Sequence, residues 1–149
     1  MRRKILVLFE AVNIRKEVIR YSTGLAKRTD SDITVLIILH PNFRKDPDPK
    51  DEMSGDTDLK RACREALEAY IIDIEREGVR VTTEVCIGDP SSEFLKFLAK
   101  NPPFQTVVWG GVDKDVKGKS SKIEDHWLGR AKNIIHCPLV VPLSRSYER

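Results

Sequence analysis

Five short apolar or alternating runs punctuate the chain, and the stretches between them carry apolar residues at helical spacing. Ile5 to Phe9 is wholly apolar, as a strand buried on both faces requires. Asn13 is placed to cap a helix whose stripe is Ile14, Val18, Tyr21 and Leu25, with Gly24 as a weak point. Ile33 to Leu39 is a second buried strand. Residues 41–58 hold Pro41, Pro47, Pro49, Gly55 and many charges, and predict a flexible loop. Leu59, Cys63, Ala66, Leu67, Tyr70 and Ile74 mark one face of a long helix that Gly78 ends. Val79 to Ile87 alternates, with Arg80, Thr82, Glu84 and Cys86 on the wetter face. Asp89-Pro90 starts a helix lined by Phe94, Leu95 and Leu98, and Asn101-Pro102-Pro103 stops it. Val107 to Trp109 is a fourth strand. Ser121 and Glu124 are spaced as a capping box for a helix with Ile123, Trp127, Ala131 and Ile134. Leu139 to Val141 is the fifth strand.

Strands alternating with helices predict an α/β fold: a five-stranded parallel sheet with helices on both faces. The half-polar third strand belongs at an edge, which selects the order 3-2-1-4-5. That order has its switch point between strands 1 and 4, so the loops after them, around Glu10 to Asn13 and Gly110 to Lys119, flank one crevice. Strand 5 falls on the other edge. Leu139, Val140 and Val141 are too apolar for a bare edge; either the tail covers them or a second copy pairs there, and we expect a homodimer interface.

Composition narrows this picture. The 149 residues suit one domain spanning 1–149, and 40% apolar residues suffice for a core. No apolar run approaches the roughly 18 residues that a membrane span needs. The basic start, Met1-Arg-Arg-Lys4, leads into an apolar run that stops at Glu10 without a cleavage site, so a cytoplasmic location is expected. Cys63, Cys86 and Cys137 form no CxxC pair and read as buried free thiols. A net charge of +3, from 26 basic and 23 acidic residues, gives a mixed surface rather than a nucleic-acid-binding face. His40, His126 and His136 lack metal-ligand spacing. No P-loop or nucleophile elbow is present, so neither a catalytic residue nor a metal site is assigned. Trp109 and Trp127 lie on apolar stripes and read as core.

Several pieces, in order, resemble the universal stress protein family: Lys4-Ile-Leu-Val7 with Glu10, Leu39-His40-Pro41, Gly88-Asp89-Pro90, and His136-Cys137-Pro138-Leu-Val-Val141. The resemblance covers nearly the whole chain. It implies a flavodoxin-like, adenine nucleotide alpha hydrolase-like sheet and dimerisation through the last strand. It also implies two subclasses, one binding ATP with Mg²⁺ and one acting through partners. ATP-binding members carry a glycine, two residues, a glycine, nine residues, then glycine with Ser or Thr, and an aspartate after strand 1.

Mapped onto this chain, that pattern makes Glu10, Gly110, Gly111, Gly118, Lys119, Gly129 and Arg130 the candidate cofactor-binding residues. Gly110 and Gly129 match. Asp113 stands at the second glycine, Arg130 replaces the hydroxyl residue, and Glu10 replaces the aspartate. A phosphate nest needs glycines so that successive N–H groups can turn inward. Asp113 and Asp115 bring negative charge instead, and Glu10 is one methylene longer than the family's acid. Lys114, Lys117, Lys119, Lys122 and Arg130 supply cations that either hold phosphates or simply face water. Two functions follow: a stress-response regulator acting through interactions with ATP binding lost or weakened, or an adenine-nucleotide switch or slow ATPase with an atypical loop. A regulatory module for a transporter or kinase, contacted through 41–58, is a third.

Overall fold

The computed structural model describes residues 3–10, 14–39, 52–101, 103–110, 135 and 137–142, with the backbone alone given for 52–57. Among them, β1 (Arg3–Phe9), β2 (Ser31–Leu39), β3 (Val81–Ile87), β4 (Thr106–Trp109) and β5 (Leu139–Val140) form one sheet. Its order is β3-β2-β1-β4-β5 and every pairing is parallel, as the hydrophobic pattern predicts. Between the strands run α1 (Lys16–Thr29), α2 (Glu52–Arg76) and α3 (Pro90–Lys100). The expected helix between strands 4 and 5 lies outside the described residues. No described helix is long and apolar enough to cross a membrane.

The two faces of the sheet follow from the two-residue period of a strand. Ile5, Val7 and Phe9 join Val18, Ile19, Ala26, Cys63, Leu67 and Ile74 in the core beneath α1 and α2. Leu6, Leu8, Leu36 and Ile38 join Phe94, Phe97, Phe104 and Trp109 beneath α3. β1 from Ile5 to Phe9 and β2 from Ile33 to Leu39 are therefore apolar at every position except Thr34, because both faces are covered. β3 keeps Thr82 and Glu84 exposed, consistent with its place at the edge.

Four local expectations are corrected. α1 begins at Lys16 with Arg15 as its N-cap and no side-chain cap, later than expected; Asn13 itself lies outside the described residues. Its buried face is Val18, Ile19, Ser22, Thr23 and Ala26, while Tyr21 is 37% exposed. Ser22 and Thr23 tolerate burial because their hydroxyls donate to the carbonyls of Val18 (2.8 Å) and Ile19 (2.7 Å) four residues back. In α3 the buried pair is Phe94 and Phe97, and Leu95 faces out at 39% exposure. α2 starts at Glu52, so it takes the last part of the segment expected as a loop, after the final proline at Pro49. Residues 41–51 lie outside the described set.

The helix boundaries at Asp89 and Gly78 agree with expectation. Asp89 accepts the Ser92 N–H at 3.0 Å with Pro90 in the first turn, and Gly78 adopts φ +87° just past α2. At the lower end of the sheet, Gln105 Nε2 donates to Thr29 Oγ1 (3.1 Å) and Ser31 Oγ (2.7 Å). This joins the end of α1, the start of β2 and the approach to β4.

Candidate functional site

β1 and β4 are neighbours in register, with Leu8 opposite Trp109, and their carboxyl ends deliver Glu10 and Gly110 to the same place. Gly110 N–H donates to the Leu8 carbonyl at 2.7 Å, which extends the β1–β4 ladder one residue beyond the strand. A Cβ built on Gly110 would lie 2.3 Å from Phe9 Cδ1 and Cε1 and 3.1 Å from the Leu8 oxygen. Glycine is therefore demanded here by the aromatic ring across the strand pair. The described glycines with positive φ are Gly78 and Gly88, so an unusual backbone conformation is not the reason at Gly110.

Two side chains close around this junction. Arg15, the residue that opens α1, sends Nη1 to the Gly110 carbonyl at 3.3 Å. The indole N–H of Trp109 donates to Glu10 Oε2 at 3.2 Å, while the ring itself is only 8% exposed in the core beneath α3. Trp109 is thus core, as expected, with a polar edge reaching the crevice. On the other side, Tyr70 OH donates to the Ile14 carbonyl at 3.4 Å and ties α2 to the segment leading into α1. Among the described residues, the crevice wall therefore carries the Glu10 carboxylate, the Arg15 guanidinium and the Trp109 indole edge, all engaged.

The structure brings together Glu10 and Gly110 of the expected site. Gly111, Gly118, Lys119, Gly129 and Arg130 lie outside the described residues, as do the three histidines and Trp127. Leu139 and Val140 pair with Val107 and Val108, and Val141 just beyond them is 38% exposed on that edge. Sequence reasoning missed Arg15 and the Glu10–Trp109 bond. Each depends on how far β1 and β4 slide past each other, and strand hydrophobicity does not encode that register.

Among the described residues no cluster of three or more His, Cys, Asp or Glu is arranged to hold a metal ion. The cysteines are free, with Cys63 buried and Cys86 and Cys137 half-buried. Burial pushes all three thiols up from their ordinary range, so each is held in the protonated, less nucleophilic form at neutral pH.

No family model matches the sequence, and no curated protein matches it either. Solved structures do. The universal stress protein UspA from Lactobacillus plantarum superposes with a TM-score of 0.74 at 15% identity, covering 96% of this chain and 99% of that one. A universal stress protein family protein from Arabidopsis thaliana, solved with AMP bound, gives 0.57 at 16% identity over 98% and 94% of the two chains. The universal stress protein from Archaeoglobus fulgidus in complex with dAMP gives 0.54 at 12% identity over 95% and 97%. At such identities the likeness speaks for architecture: this chain has the α/β fold of the universal stress proteins.

Proposed function

We propose that the chain is a universal stress protein-like cytoplasmic regulator, acting as a homodimer through contacts with other proteins, with ATP binding weakened. The observation carrying this reading is the state of the Gly110 peptide. Its N–H is taken up by the Leu8 carbonyl and its carbonyl by Arg15, so this glycine has no amide to turn toward a phosphate. Its place in the chain is explained by packing against the Phe9 ring and the Leu8 carbonyl. Glu10 likewise already accepts the Trp109 indole. Isothermal titration with ATP and Mg²⁺ tests the proposal: no micromolar binding is expected, and micromolar affinity overturns it.

A second reading, an adenine-nucleotide switch, is favoured by Arg15. A half-buried guanidinium at the opening of α1 is suited to a phosphate through charge-assisted hydrogen bonds, without a glycine nest. The AMP and dAMP complexes of the Arabidopsis and Archaeoglobus proteins support adenine nucleotides as the ligand class. Under this reading, Arg15→Ala weakens AMP binding by about tenfold or more, the scale of one charge-assisted contact. Unchanged affinity rejects it.

A further inference from the structure

Away from the crevice, α1 and α2 leave a groove of about 590 Å³ between them. Ile19 and Ile74 form its buried apolar floor, and Tyr70 closes one side. It runs along α1 from Lys16 to Lys27, about 16 Å at the rise of an α-helix. That length matches about five residues of extended chain.

Two features mark the groove as more than a seam between helices. The first is charge. The acids on its wall, Asp73 and Glu77, are paired within it: Glu77 meets Lys27 at 2.6 Å and Asp73 meets Arg76 at 3.9 Å. Lys16 and Arg20, both exposed and one turn apart on α1, remain as its net charge. The second is Gly24, one further turn along the same ridge. Glycine weakens a helix interior, and nothing in the packing requires it here: a Cβ would meet only the flexible end of Arg28, at 3.3 Å. Gly24 therefore leaves an open notch in a cationic ridge above an apolar floor.

We infer that the α1–α2 groove is a docking site for a short, extended, acidic segment of a partner protein, with an apolar side chain seated in the Gly24 notch and carboxylates on Lys16 and Arg20. The inference rests on the interaction reading above and gives it a surface. The ATP titration tests nucleotide binding independently of this groove.

Fluorescence anisotropy with a fluorescein-labelled Glu-Glu-Leu-Glu-Glu peptide tests the site, with the same peptide carrying Lys for Glu as the control. The acidic probe binds and the basic one does not. The double variant Lys16→Glu, Arg20→Glu weakens binding by about tenfold or more, as charge reversal at a complementary surface does. Gly24→Leu weakens it similarly while melting no earlier than the parent protein, because leucine is the better helix former. Equal binding of both peptides, binding of neither, or full affinity in the variants overturns the inference. So does capture by phosphatidylserine vesicles without peptide binding.

Discussion

Gly110 and Phe9 occupy one volume between them, and the strand pairing fixes which of them is small. Gly110→Ala forces a methyl into the Phe9 ring at a distance that no packing tolerates, and overpacking of this kind costs about 1–3 kcal/mol. Urea unfolding will show that loss in the parent protein. In a Phe9→Ala background, itself destabilised by about 3–5 kcal/mol, the added methyl will cost much less, because the ring it strikes is gone. An undiminished loss would place the clash at the Leu8 carbonyl instead. The letter Gly110 was visible in the sequence as part of a phosphate-loop pattern. Its physical reason was not, because that reason sits on another strand. Glu10 and Trp109 repeat the lesson: each was singled out alone, and the bond between them depends on the register.

At the scale of the element, apolar periodicity located α1, α2 and α3 but turned two of them slightly. In α1 the buried face includes Ser22 and Thr23, polar letters that hide by bonding their own backbone. In α3 the stripe passes through Phe94 and Phe97, leaving Leu95 outward. Phe94→Ala should therefore cost about 3–5 kcal/mol, whereas Leu95→Lys should stay within about 0.5 kcal/mol. Chemical denaturation of the two variants separates these values; similar losses would mean that α3 is rotated toward Leu95. Boundaries written in capping residues were read correctly at Asp89 and Gly78, because those signals are local. The start of α2 was not, since proline and charge density describe a loop without saying where it ends.

For the whole molecule, the decisive clue was the contrast between fully apolar strands and a single half-polar one. It placed β3 at one edge and β1 in the middle, and the order observed follows. The same order leaves the outer side of β5 as the remaining edge, with Val141 exposed beside it. If two copies join there, Val141→Asp will shift the protein from dimer to monomer in sedimentation velocity, because a buried unpaired carboxylate opposes association. A parent protein that sediments as a monomer, or a variant that stays dimeric, rejects edge pairing. The glycines and lysines expected to form a loop after β4 lie in residues 111–134, outside the described residues, and what the fold contributes is their point of departure at Gly110.

The indole of Trp109, lodged in the core with its N–H on a carboxylate at the mouth of the crevice, also makes the protein its own optical instrument. Indole emission shifts with the charge beside the ring, so replacing Glu10 with Gln or seating a solute against it changes the colour of the light emitted. With Trp127 replaced by Phe, that single signal would follow occupancy of the crevice without any attached dye.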